Sequence, residues 1–220
     1  MQLSTPAAIL FDLDGTLLDT APDLGAALNH VRQLDDLPPL PAHTLRPFAS
    51  HGARGLLACG FGDEQTPAEH ERRRQQLLDF YAANLAVATC LFDGVAELLE
   101  GLNQRQLPWA IVTNKPGWLT TPLLTHFPEL AAAGSVVSGD TLSVAKPHPE
   151  PLLHACRQLG VSAADCWYVG DARRDLEAGR AAGMLAVLAS YGYLAAGEPE
   201  ADWPIDLQIS TPIALLDLLA

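Results

Sequence analysis

Residues 8–19 read AILFDLDGTLLD, and the interpretation of the chain begins here. Four apolar residues run without interruption into Asp12 and Asp14. A short, continuous apolar run is typical of a strand buried on both faces of a parallel sheet. The two aspartates then follow the carboxyl end of that strand, which is where open α/β sheets bind ligands. Carboxylates at this spacing, followed by Gly15, could hold a divalent cation and present a nucleophilic oxygen, although an ordinary turn uses the same residue types.

Apolar runs and helical segments alternate along the rest of the chain. Strands are predicted over residues 109–112, 136–137, 166–169, 184–189 and 207–209, and helices from Asp93 onward and over 116–127, 150–159, 175–182 and 212–219. Alternation of this kind predicts right-handed crossovers and a parallel sheet with helices on both faces. The expected fold class is therefore α/β, with a doubly wound parallel sheet.

Residues 19–89 predict a helical domain inserted after the first strand. Leu24, Leu28 and Val31 recur at helical spacing, and no convincing strand pattern interrupts the segment. Thr20 is predicted to cap the first helix, with Asp23 completing a capping box. The α/β core domain then comprises residues 1–18 and 90–220, and a chain of 220 residues is long enough for both domains.

The segment SHGARG, residues 50–55, is the part of this insert that differs from plain helix packing. Gly52 and Arg54 could present backbone N–H groups and a guanidinium to an anion at a helix amino end. An ordinary turn with an exposed arginine is the alternative. The anion-binding interpretation is favoured if the insert covers the crevice beside Asp12.

Composition excludes several kinds of partner. The net charge of −13 argues against nucleic acid and against anionic membranes, since no basic surface is present to attract phosphates. Four cysteines lie far apart without a C-x-x-C pair, which indicates reduced thiols. No export signal or membrane-spanning stretch is evident, so a cytoplasmic location is expected. The sequence predicts no oligomeric state.

Polar residues follow four separate predicted strands. Beyond Asp12 and Asp14, they are Thr113 with Asn114, Lys146, and Asp171 with Asp175. The chain contains only two lysines, Lys115 and Lys146, and both precede a proline and follow a predicted strand. Because carboxyl ends of parallel strands meet at one edge of a sheet, these groups together indicate a site for an anionic ligand.

Four of these segments resemble, in order, the motifs of the haloacid dehalogenase superfamily of phosphohydrolases. They are FDLDGT at residues 11–16, TN at 113–114, KP at 146–147 and VGDARRD at 169–175. The helical insert, TNKP and the SYGY segment at 190–193 are similar to the phosphoglycolate phosphatase branch. LFDG at 91–94, with residues 52–54, is closer to bacterial N-acetylmuramic acid 6-phosphate phosphatases of that branch. The resemblance implies a Rossmann-like core and a helical cap, while Ala172 departs from relatives that carry Asp or Ser there.

The resemblance implies a Mg²⁺-dependent phosphatase acting through an aspartyl-phosphate. Asp12 would attack phosphorus, and Asp14 would protonate the leaving oxygen and then activate water. Mg²⁺ would bind Asp12, the backbone carbonyl of Asp14 and Asp171, with Asp175 in or near its water shell.

The remaining site residues would bind the substrate, a small phosphomonoester. Thr113, the Asn114 backbone N–H and Lys146 would take up charge on the transferred phosphoryl group, and Arg54 with Gly52 would recognise the rest of the molecule. The leading candidates are 2-phosphoglycolate and N-acetylmuramic acid 6-phosphate.

Other classes of protein combine some of these residues. A phosphosugar mutase shares the same core and differs in how the cap protects the aspartyl-phosphate from water. A receiver domain of a signalling pathway is shorter and has neither Asp14 nor a large insert. A haloacid dehalogenase would not need Asp14 or Mg²⁺. A catalytically inactive binding protein would not need the complete set of acidic and basic residues.

Overall fold

The chain folds into two compact units. The core unit comprises Met1–Leu18 with Leu91–Ala220, and the helical unit comprises Asp19–Cys90. The structure is a computed structural model, and it describes residues 4–62, 64–195, 198–199 and 201–219.

Eight strands and nine α-helices are assigned among these described residues. The strands are β1 (Ala8–Phe11), β2 (Leu18–Asp19), β3 (Cys90–Leu91), β4 (Trp109–Val112), β5 (Ser135–Val137), β6 (Cys166–Gly170), β7 (Leu185–Ala189) and β8 (Leu207–Ile209). The helices are α1 (Ala21–Leu34), α2 (Ala42–Leu45), α3 (Gly52–Phe61), α4 (Pro67–Ala83), α5 (Val95–Gln104), α6 (Gly117–Leu124), α7 (Glu150–Leu159), α8 (Arg173–Ala181) and α9 (Ala214–Asp217). Short 3₁₀ segments cover Arg46–His51, Pro128–Ala132 and Ala163–Asp165.

A six-stranded parallel sheet forms the centre of the core unit. Its order is β5-β4-β1-β6-β7-β8, so β1 lies in the interior between β4 and β6. Leu10 of β1 is in register with Ala110 on one side and with Tyr168 on the other. The order places the ends of β1, β4 and β6 side by side, which brings the polar residues that follow them to one edge.

The apolar runs predicted as strands are strands in the structure. β1 and β4 have the predicted bounds, and every residue of β1, β4 and β6 is buried. These strands are apolar throughout because helices cover both faces of the sheet, as the crossovers of a parallel sheet require. The predicted fold class, a doubly wound α/β sheet, is confirmed.

The helical unit has an apolar core of its own. Leu28 and Val31 of α1, Leu56 of α3 and Leu77 of α4 are fully buried. The amino end of α4 carries a reciprocal capping box, in which Thr66 accepts from the Glu69 amide and the Glu69 carboxylate accepts from Thr66. None of the described helices in either unit combines the length and the apolar composition needed to cross a bilayer.

The start of α1 differs from the prediction. Thr20 is the N-cap residue, but its side chain makes no capping hydrogen bond, so the predicted capping box is wrong. The Asp23 carboxylate instead accepts hydrogen bonds from the backbone N–H groups of Ala88 and Thr89 and from the Thr89 hydroxyl. Asp23 therefore ties the first helix of the unit to its last segment. The two-residue strands β2 and β3, which pair where the chain leaves and re-enters the core unit, were not predicted.

Candidate active site

Asp12 directly follows β1 and is the most central polar group of the sheet edge. The residue is only 2% exposed, and Oδ1 accepts from the backbone N–H of Leu13 at 2.7 Å. The chain then turns sharply at Gly15, where φ is +85°. A Cβ at Gly15 would lie 2.3 Å from the Asp171 carboxylate, so glycine is required here for conformation and for space.

Two further carboxylates come from the end of β6 and from α8. Asp171 Oδ2 accepts from the backbone N–H of Tyr193 at 2.9 Å, and Asp175 Oδ2 accepts from that of Ala172 at 3.0 Å. One oxygen each of Asp12, Asp171 and Asp175 lies within 4.8 Å of the others, and all three side chains are buried. Three converging hard oxygen donors are what Mg²⁺ prefers, so the residues present fit that cation.

Lys146 fills the space beside this cluster. Its Nζ lies 2.9 Å from Asp12 Oδ1 and 2.8 Å from Asp175 Oδ1. It also donates to the backbone carbonyl of Val112 at 2.8 Å and to the hydroxyl of Tyr168 at 2.7 Å. The ammonium is therefore buried among oxygen acceptors, directly beside the carboxylate of Asp12.

Asn114 fixes the segment that carries this lysine. Its side-chain amide donates to the Lys146 carbonyl at 2.9 Å, and its side-chain oxygen accepts from the Lys146 N–H at 3.0 Å. This pair of bonds closes a contact between residues 32 positions apart in the chain. The side chain of Asn114 thus positions Lys146, and only the backbone N–H remains for the role predicted for this residue.

Asp14 and Thr113 lie at the same edge. The Asp14 carboxylate is paired with Lys115, with Nζ at 2.9 Å from Oδ1. The Thr113 hydroxyl accepts from the backbone N–H of Lys115 at 3.1 Å, and Thr113 is buried. Both lysines of the chain therefore face carboxylates of this site.

Burial sets the electrostatics of the cluster. It raises the pKa of Asp12 from its ordinary value of 3.8 to about 7, with the Asp175 charge adding to the rise and Lys146 opposing it. Burial also acts to raise the pKa of Asp175, but the cations of Lys146 and Arg174 outweigh it and hold that pKa below its ordinary value. A cation bound at the cluster would favour the ionised form of Asp12.

Three groups at this site escaped the sequence analysis. Arg174 approaches Asp12, with Nη2 at 3.9 Å from Oδ2, and the backbone N–H of Tyr193 holds Asp171. Tyr168 contacts Lys146. Arg174 stands within the VGDARRD motif, and that position was its only signal in the sequence.

Gly52 and Arg54 belong to the helical unit. Gly52 begins α3 with φ at +59°, and Arg54 is exposed in the first turn of the helix. Arg54 lines a cavity of about 340 Å³ within this unit, together with Gln65 and His70. The recognition role of Arg54 and Gly52 stays a prediction.

Comparisons with known proteins agree with this fold and site. The family model of the haloacid dehalogenase-like hydrolases matches residues 9–189. The chain is 39% identical to the N-acetylmuramic acid 6-phosphate phosphatase of Pseudomonas aeruginosa, over 96% of this chain and 94% of that protein. It is 42% identical to the phosphoglycolate phosphatase of Xanthomonas campestris pv. campestris, over 94% of this chain and 93% of that protein. A crystal structure from Haemophilus somnus, described as a predicted phosphoglycolate phosphatase, superposes with a TM-score of 0.87 at 28% identity, covering 99% of this chain and 100% of that one.

The chain therefore belongs to the family of haloacid dehalogenase-like hydrolases, as the order of its four motifs predicts. Within that family it is an enzyme of the phosphoric monoester hydrolase class, similar to the phosphoglycolate phosphatases.

Proposed function

We propose that this protein is a Mg²⁺-dependent phosphatase that hydrolyses a small phosphomonoester through an aspartyl-phosphate on Asp12. The observation that carries the proposal is the buried group of Asp12, Asp171 and Asp175 with Lys146 at the end of β1. It holds a nucleophile, a cation site and a fixed positive charge within reach of one phosphate. The phosphatase names of the relatives at 39% and 42% identity support the same reaction.

The first half-reaction transfers the phosphoryl group to the protein. A carboxylate oxygen of Asp12 forms the new bond to phosphorus as the bond to the substrate alcohol breaks in line. Asp14 donates a proton to the departing oxygen, because an unprotonated alkoxide is a poor leaving group. Lys115, at 2.9 Å from Asp14, holds that carboxyl group in place.

The second half-reaction releases inorganic phosphate. Asp14 removes a proton from a water molecule, whose oxygen forms a bond to phosphorus as the bond between phosphorus and Asp12 breaks. The Thr113 hydroxyl, the Asn114 N–H and the Lys146 ammonium stabilise charge on the phosphoryl oxygens in both steps. These donors are already fixed by the contacts of β4 and Lys146, so little reorganisation is needed.

The proposed Mg²⁺ ligands are Asp12, the backbone carbonyl of Asp14 and Asp171, with Asp175 in or near the water shell. When bound, the cation supplies the positive charge that offsets repulsion between Asp12 and a phosphate dianion. This matters in a protein with a net charge of −13.

The candidate substrates share a second anionic group. Both 2-phosphoglycolate and N-acetylmuramic acid 6-phosphate carry a carboxylate besides the phosphate, and an arginine can bind a carboxylate through two N–H groups. We therefore propose that the helical unit acts as a cap domain and that Arg54, next to Gly52, recognises this carboxylate.

Phosphate release from p-nitrophenyl phosphate tests the reaction. We expect turnover that requires Mg²⁺, stops with a chelator and is lost in Asp12→Asn. Asp36→Asn is the matched control, because Asp36 is exposed and belongs to the helical unit. Wild-type turnover in Asp12→Asn would show that Asp12 is not the nucleophile. Isomerisation of a sugar phosphate without phosphate release, measured separately, would identify a mutase.

A comparison of kcat/KM over a panel of phosphomonoesters tests the substrate. The panel includes both candidates and analogues without the carboxylate. Arg54→Ala should raise KM about tenfold for the preferred carboxylate substrate and leave KM for p-nitrophenyl phosphate unchanged. Arg74→Ala, on an exposed face of α4, is the control. Equal, weak rates on every compound would argue against a recognition role for Arg54.

A further inference from the structure

Tyr168 occupies a position that core packing alone does not explain. It lies in the middle of β6, fully buried, and its strand is separated from β4 by β1. Its hydroxyl nevertheless donates to the carbonyl of Val112, the last residue of β4, at 2.8 Å. The side chain therefore reaches across β1, the strand that Asp12 directly follows.

The same hydroxyl accepts a hydrogen bond from Lys146 Nζ at 2.7 Å. The directions of these bonds are fixed by chemistry, because an ammonium group has no acceptor and a carbonyl has no donor. The phenol proton must go to Val112, and an oxygen lone pair must face Lys146. Burial, followed by the charges of Asp175 and Asp12, raises the pKa of Tyr168 well above its ordinary value of 10, which keeps the phenol neutral.

Lys146 has more acceptors than protons. Four oxygens lie between 2.7 and 2.9 Å from Nζ, whereas an ammonium donates three hydrogen bonds. Nζ donates hydrogen bonds to Val112 and Tyr168, and it forms ion pairs with a carboxylate oxygen of Asp12 and of Asp175. The hydrogen bonds to the two uncharged oxygens, of Val112 and Tyr168, hold the ammonium beside the carboxylates.

We propose that the Tyr168 hydroxyl is a positioning group for catalysis: it fixes the Lys146 ammonium beside Asp12. This inference rests on the proposed function, in which Lys146 stabilises the transferred phosphoryl group. Without the hydroxyl, the bond to Val112 is the one of these two hydrogen bonds that remains, and it draws Nζ toward β4. The shift of Nζ moves the positive charge relative to the reacting oxygens. A misplacement of a catalytic group by about 1 Å costs about 10–100-fold in rate.

Tyr168→Phe tests the inference with little change to the fold. The ring stays, the volume is nearly conserved, and Val112 keeps its bond from Lys146, so no buried donor is left without a partner. We expect kcat to fall about 10–100-fold while KM changes less than about threefold. Tyr81→Phe is the matched control, because Tyr81 is equally buried but belongs to the helical unit.

The small number of lysines provides a direct readout of position. Protein grown with ζ-¹⁵N-lysine has only two side-chain ammonium signals, from Lys115 and Lys146, and Lys115→Arg assigns them. Tyr168→Phe should move the Lys146 signal and leave the Lys115 signal in place, with or without activity. Tyr81→Phe should move neither.

The outcomes separate the inference from the proposed function. A moved Lys146 signal together with the loss in kcat supports the positioning role. An unmoved signal, or a kcat within threefold of wild type, overturns it. Wild-type protein that releases no phosphate with Mg²⁺ overturns the proposed function first, before any Tyr168 variant is compared.

Discussion

Asp12 should destabilise the metal-free protein. Asp12 is 2% exposed, and burial, followed by the Asp175 charge, raises the pKa of its carboxyl group from 3.8 to about 7. At about 1.36 kcal/mol per pKa unit, ionising Asp12 costs the folded state roughly 4 kcal/mol. Asp12→Asn removes the charge and keeps the shape. We expect it to raise the free energy of unfolding by about 2–4 kcal/mol at pH 8 in a chelator, the lower figure allowing for an amide donor that faces Lys146.

The raised pKa also fixes the direction of the pH dependence. Between pH 3.8 and about 7, the unfolded chain has lost the Asp12 proton while the folded protein keeps it, so the wild type loses stability as the pH rises. Above that range the cost is complete. The difference in the free energy of unfolding between Asp12→Asn and the wild type should therefore be largest at pH 8 and should decrease toward pH 5.

Urea unfolding followed by tryptophan fluorescence measures this difference. Trp109 and Trp167 are buried in β4 and β6, so the signal reports the core unit that holds Asp12. Asp36→Asn should match the wild type at every pH. Saturating Mg²⁺ should stabilise the wild type and so reduce the difference in unfolding free energy between it and Asp12→Asn. A variant less stable than wild type at pH 8, or a gap that does not change with pH, would refute the reasoning.

Three further predictions concern packing and hydrogen bonds. Gly192→Ala would place a Cβ 2.3 Å from that of Asp171, so we expect a loss of about 1–3 kcal/mol in urea unfolding and weaker Mg²⁺ binding by calorimetry. Unchanged Mg²⁺ affinity would contradict the clash. Asp23→Asn replaces one of the two acceptor oxygens with an NH₂ donor, so a backbone N–H of Ala88 or Thr89 loses its acceptor, which should cost about 1–3 kcal/mol and speed amide exchange at one of these two residues; equal exchange rates at both would count against it. Thr66→Ala removes the cap of α4 and should cost about 1 kcal/mol, whereas Thr66→Ser should restore most of it.

The sheet could be predicted closely because its strands leave a strong pattern. β1, β4 and β6 are buried on both faces, so their sequences are continuous apolar runs that end where the strands end. The polar residues after those runs then lie at one edge of the sheet by topology alone. Strand order explains why Asp12 and Asp171, far apart in sequence, contribute to one cluster.

The finer contacts could not be predicted because they depend on residues brought together only by folding. Asn114 bonds the backbone of Lys146 across 32 residues, and Asp23 serves Thr89 rather than its own helix. Tyr168 lies within an apolar run, where a tyrosine is indistinguishable from a packing residue. The two-residue strands β2 and β3 are too short to give a periodic signal.

The burial of both lysines has a consequence for the chemistry of the protein surface. The side chains of Lys115 and Lys146 are 6% and 0% exposed, and the chain has no other lysine. Acetylation, ubiquitination and amine-directed coupling at a lysine all need an accessible side-chain amine. In the folded protein these reactions find no lysine on the surface, so attachment through a lysine would report unfolding.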